Sequence, residues 1–120
     1  MKRLLTLFIL AILAGAPQAF CNQTETEKDS LLQSLDTLPA NASRLETLYK
    51  LAYLDPMSPS CAYYLGKLLD EAIQQNDQYY QCLAMYAHVV YYYNHQDEEN
   101  TELWMEKLSQ TALEHKYYDL

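Results

Sequence analysis

Glycine is nearly missing from this chain of 120 residues, which has only Gly15 and Gly66. Neither belongs to a G-x-x-x-x-G-K or G-x-G-x-x-G loop, the backbone cradles that hold phosphates, and nucleotide-binding enzymes are disfavoured accordingly. Basic residues are also scarce: eight Lys and Arg face sixteen Asp and Glu, for a net charge of −8. Two of the bases, Lys2 and Arg3, belong to an N-terminal leader, so the remainder sets six bases against sixteen acids, a balance of −10. Such an acidic surface repels phosphate backbones and argues against nucleic acid as a partner. No apolar run is long enough to cross a bilayer, for which about 20 residues are needed. Strand-like alternation of apolar and polar residues is absent as well.

Cysteine is limited to three positions. Cys21 falls at the end of the leader, leaving Cys61 and Cys82. On adjacent antiparallel helices joined near Asn76, Cys61 lies about 15 residues before the turn and Cys82 about 6 after it. At about 1.5 Å per residue that mismatch exceeds the Cα span of a disulfide. Free, packed thiols are expected.

The leader is residues 1–21: two bases, the apolar run from Leu4 to Ala14, then small residues, which together predict a secretory signal peptide. Pro17 obstructs a cut after Ala16, while Ala19-Phe20-Cys21 offers small residues at the two positions a signal peptidase reads, so cleavage is expected just after Cys21. The alternative makes Cys21 a lipidated N-terminus, although Phe20 stands where lipoprotein signals want a small residue. Either way the mature chain is exported.

What the chain has in quantity is helical pattern. Gln78 to Tyr93 carries no Gly, Pro or charge; Leu83, Tyr86, Ala87 and Val90 recur at helical steps and predict a central buried helix. Asn22 to Lys28 reads as a polar, mobile lead-in. Asp29 to Leu38 is a short amphipathic segment with Leu31, Leu32, Leu35 and Leu38, stopped by Pro39. Ser43 with Glu46 forms a capping-box pattern opening a helix with Leu45, Leu48, Tyr49 and Ala52 on one face. Ser58-Pro59 reads as an N-cap with Pro at the first helical position of a helix running to about Gln75. Asp77 caps the central helix, Asn94 to Asn100 is an acidic loop, and Thr101 to His115 is the last full helix.

Laid over one another, these helices repeat. Tyr64, Leu68, Ala72 and Ile73 recur as Trp104, Leu108, Ala112 and Leu113; Leu45, Leu48, Ala52 and Tyr53 recur as Leu83, Tyr86, Val90 and Tyr91. Two helices per period predict an all-α, antiparallel helix-hairpin solenoid of about five helices after the signal peptide, with hairpins at about 42–75 and 78–115 in a domain over 29–120. Tyr117 to Leu120 lines up with Tyr79 to Cys82, so a third hairpin is expected to begin there and to be cut short, which makes the chain the N-terminal piece of a longer array or a truncated product.

These residues resemble the tetratricopeptide repeats. Leu65, Leu69 and Ala72 follow the large and small positions of that family's second helix, and Leu83, Tyr86, Ala87 and Val90 those of its first. Val90 stands where an aromatic is usual, the period is longer than the family's, and the inter-repeat proline is missing before Asp77. A signal peptide followed at once by Tyr-rich, long-period repeats is also similar to the N-terminal extracytoplasmic region of bacterial sensor histidine kinases. That resemblance implies a periplasmic sensing or docking module that takes a protein or peptide; no kinase residue is carried over. The membrane would be reached only through a further C-terminal region or a lipidated Cys21. The second hypothesis is a free-standing exported adapter or lipid-anchored scaffold that self-associates through its C-terminal face. In a bacterial context the sequons at Asn22 and Asn41 are idle.

Candidate chemistry is thin. His88 and His95 are spaced too far apart along a helix for one metal, which wants i, i+4, and Asp97, Glu98, Glu99 and Glu102 lack the Gly and alternating ligands of a calcium loop. Cys82 and His88 point to different helix faces, and no nucleophile, base and oxyanion donor assemble. No catalytic residue, metal or cofactor is predicted. A second stripe on the central helix, Gln81, Met85, His88 and Tyr92, is the candidate ligand-binding groove. Its competing role is packing on the neighbouring repeat, since Tyr buries its ring while wetting its hydroxyl.

Overall fold

The structure, a computed structural model, describes residues 25–115. The predicted leader, the cleavage site, Cys21, the start of the lead-in and the third hairpin expected at 117–120 lie outside the described residues. Those described form five helices and no strand: α1 over 25–37, α2 Ala42–Tyr53, α3 Pro59–Gln74, α4 Gln78–Asn94 and α5 Glu98–His115. α3 packs on α2, α4 on α3 and α5 on α4.

Helix α1 begins earlier than its leucines suggest, because residues 25–28 of the expected lead-in are already helical. Its last turn closes with Leu38 N donating to the Ser34 carbonyl at 3.0 Å, and Pro39 prevents continuation. Ser43 does not cap α2. Asn41 does, accepting from Ser43 N at 3.0 Å and Arg44 N at 3.4 Å; an Asn side chain reaches the orphan amides as well as Ser does. Ser58 and Pro59 open α3 as expected, with Ser58 accepting from Ser60 N.

The turns after α3 and α4 are the same object made twice. Asn76 and Gln96 take positive φ, 55° and 57°. Asp77 N donates back to the Ala72 carbonyl and Asp97 N to the Tyr92 carbonyl, while Asn76 N and Gln96 N reach Ile73 and Tyr93. These are Schellman closures, which satisfy the last carbonyls of a helix in three residues. Each closing Asp then caps the next helix: Asp77 accepts from Tyr80 N at 3.0 Å and Asp97 from Asn100 N at 3.1 Å. The acidic loop expected from Asn94 to Asn100 is therefore only this turn. Glu98 and Glu99 belong to the first turn of α5, where the helix dipole favours negative charge.

The core gathers Leu35 of α1, Leu45, Leu48, Leu51 and Ala52 of α2, Cys61, Leu65, Leu68 and Ala72 of α3, and Ala84 and Ala87 of α4. Arg44 ties three helices: its Nη1 donates to the Leu35 carbonyl at 2.6 Å and its Nη2 lies 2.8 Å from Glu71 Oε1. Cys61 and Cys82 are buried, unbonded thiols.

Candidate functional site

Helix α4 decides what surface the chain offers, because it packs on two neighbours at once. Ala84 and Ala87 sit in the cluster with Cys61, Leu65 and Leu68 of α3, where small side chains let the two helices approach. On another side, His88 stacks on Trp104 of α5, ring centroids 4.0 Å apart and planes 16° apart. His88 is 4 % exposed, its Nδ1 lies 2.7 Å from the Ala84 carbonyl, and Lys107 Nζ stands 4.3 Å from the Trp104 ring centroid. Burial lowers the His88 pKa first, and the nearby Lys107 charge adds to this; the Ala84 carbonyl works the other way.

The inward face predicted for α4 is thereby rotated. Cys82, Ala84, Met85, Ala87 and His88 are the buried residues. Of the expected inward set, Ala87 alone is fully buried, and Tyr86 is 48 % exposed. Tyr86 in place of a leucine is one physical reason: Tyr leaves its hydroxyl wet, so the helix turns Ala84 and Ala87 inward and Tyr86 out.

The candidate groove residues do share a region of α4, near α3 and α5. Met85 and His88 are buried. Gln81 is half-buried and its Nε2 donates to the Ala72 carbonyl at 3.4 Å. Tyr92 is half-buried beside His88, centroids 6.5 Å apart. Of the four, only Gln81 and Tyr92 keep partial access to solvent.

The outward side of α4 carries a different stripe. Tyr79, Tyr86 and Tyr93 are 52, 48 and 72 % exposed, with half-buried Leu83 and Val90 between them. The spacing alternates four and three, the seam pattern by which a helix takes another helix. Tyr53 of α2 adjoins this seam. Its ring lies 4.7 Å from that of Tyr49, and its pKa is pushed up to about 12, by burial first, then by Tyr49 and, among lesser neighbours, Tyr86. Met57, exposed in the α2–α3 turn, offers its carbonyl to His95 Nε2 of the α4 terminus at 3.0 Å. All these residues were visible in the sequence, and the four-three spacing was the available signal for the seam.

At the end of the stripe an open concavity of about 620 Å³ is lined by Tyr93, Gln96, Asp97, Glu102 and Met105 among others. Asp97 is occupied as a cap, and its carboxyl is held below the usual range by the Asn100 side chain and then the Asn100 amide. Elsewhere the chemistry is muted. Burial pushes both thiols up, Cys61 with help from Asp55, which keeps them protonated and unreactive at neutral pH. No group of three or more potential metal ligands occurs among the described residues, and no described helix is long and apolar enough to cross a membrane. Set against family models, curated proteins and solved structures, the chain matches none.

Proposed function

We propose that the chain is an exported helical-repeat module, tetratricopeptide-like in plan, that binds a protein or peptide. Within that reading it serves as the sensory N-terminal part of a sensor histidine kinase signalling protein, or a truncated version of one, acting in the periplasm. The observation that carries the binding function is the seam Tyr79, Leu83, Tyr86, Val90 and Tyr93. Three exposed phenols on one rigid helix are what protein-binding surfaces use: large, amphipathic contacts that lose little freedom on binding. The leader at 1–21 supports export, and the recurrence of Tyr64, Leu68 and Ala72 of α3 as Trp104, Leu108 and Ala112 of α5 supports the repeat plan.

A second reading, the free-standing or lipid-anchored scaffold that self-associates through its C-terminal face, draws on Leu103, Met105 and Leu113, all exposed on α5.

A peptide-display selection against the mature chain tests the first reading. Peptides are expected to enrich and to lose binding in the Tyr79→Ser/Tyr86→Ser double variant, whose thermal melt stays that of the wild type because both side chains are already about half exposed. Enrichment of peptides indifferent to those two substitutions would remove the seam as the site.

A further inference from the structure

We propose that the α4 seam is a self-association surface, taking the α4 seam of a second copy of this chain in antiparallel fashion about a two-fold axis. This rests on the seam being a protein-binding surface and names the protein it takes.

The internal repeat supplies the first support. Leu83, Tyr86 and Val90 are the repeat-mates of Leu45, Leu48 and Ala52, which are all fully buried. They lie in one cluster with Leu35 of α1 and Leu65 and Leu68 of α3, against which Leu31 and Leu32 also pack, so these positions of α2 are enclosed by apolar side chains. The same face of α4 remains about half open.

Spacing and residue order give the second. Along the seam large phenols alternate with aliphatic residues, Tyr-Leu-Tyr-Val-Tyr. When two such seams run antiparallel, the aliphatic layers of one fall opposite the tyrosine layers of the other: Leu83 meets Tyr93 of the second copy and Tyr86 meets Val90 of the second copy. A parallel pairing would instead stack Tyr on Tyr and Leu on Leu. Self-complementarity of this kind is what a two-fold contact requires, with large residues filling the space that small ones leave.

Charge supplies the third. Between Gln78 and Asn94 there is no Asp, Glu, Lys or Arg, in a chain whose net charge is −8. Two copies can meet on α4 without setting like charges opposite one another. On α5 the same approach would oppose Glu98, Glu99, Glu102 and Glu106, which disfavours the alternative face despite its exposed Leu113. The seam runs about 21 Å along the helix, at the small end of specific interfaces, so the association is weak and depends on concentration.

Sedimentation velocity of the mature chain from low micromolar to near-millimolar concentration, at low and high salt, decides the matter. The sedimentation coefficient should rise with concentration, and more so at high salt, because screening weakens repulsion between the acidic surroundings. Tyr86→Asp, which places a carboxylate in the layer beside the axis, should weaken association at least about tenfold, and Tyr93→Asp should do likewise, both with wild-type circular dichroism melts. Leu113→Asp should change nothing. A monomer under every condition overturns the proposal, as does association that survives Tyr86→Asp and Tyr93→Asp or that Leu113→Asp abolishes. Display-selected peptides that need the seam while the chain stays monomeric would uphold the binding function and sink only the self-association.

Discussion

The imidazole of His88 lies flat on the indole of Trp104, 4.0 Å between centroids, in a pocket where the histidine is 4 % exposed. This is the joint between α4 and α5, and it is sensitive to protons. The groups facing it are Tyr92 on its own helix and Trp104 with Lys107 on α5; none of them is an acid that would welcome an imidazolium.

Stability should therefore fall on mild acidification. The folded pKa of His88 lies below its ordinary value of 6.5, so below that pH the unfolded chain takes up a proton that the folded chain refuses. The contribution is complete above 6.5 and is lost as pH drops toward the depressed value, by up to about 1.4 kcal/mol per pH unit. Urea titrations at neutral and mildly acid pH should show this slope, and His88→Gln should flatten it; an equal slope in the variant would place the effect elsewhere.

The two Schellman turns differ in how well their central residue suits left-handed backbone. Asn76 tolerates it, whereas Gln96, at φ 57°, does not. Gln96→Gly should raise stability by about 0.5–1 kcal/mol, and Asn76→Ala should lower it by about 1 kcal/mol. Thermal denaturation of both variants checks the pair; a loss of stability in Gln96→Gly or a gain in Asn76→Ala would refute the turn assignment.

Arg44 joins α1 to α3 through the Leu35 carbonyl and Glu71, both partners of the pair being about one-fifth exposed. Glu71 Oε2 is buried with no partner among the described side chains, so the carboxylate depends on Arg44. Arg44→Ala should cost about 1–3 kcal/mol, and amide exchange should speed up first over residues 25–37. Lys should rescue only part of the loss, since it cannot hold the fork geometry.

Positions paired by the proposed repeat should respond unequally. Leu48→Ala empties a fully buried site and should cost about 2–5 kcal/mol. Tyr86→Ala, at the corresponding place on α4, should cost less than about 1 kcal/mol. Denaturant midpoints of the two variants give the comparison, and similar losses would mean that the α4 seam is covered.

The caps at Ser58 and Asp77 and the Pro39 stop were legible because each is written in a few adjacent residues. Asn41 competes with Ser43 two positions away, and only the three-dimensional turn selects between them. The start of α5 was misplaced because acids after Asp97 read as loop when they are first-turn residues at a dipole. The rotation of α4 was hidden for a deeper reason: apolar and aromatic residues occupy nearly every side of that helix, and which side faces in depends on the alanines that α3 approaches. The bond between Arg44 and Glu71 spans 27 positions and leaves no local pattern at all.

Methyl NMR of the wild-type chain, titrated with a display-selected peptide, tests the central claim most directly. If the outward seam is the binding face, the methyl signals of Leu83 and Val90 shift with peptide while buried Met85 holds still. Shifts centred on Met85 with Leu83 and Val90 unmoved would contradict the account and return the site to the Gln81, Met85, His88 and Tyr92 stripe.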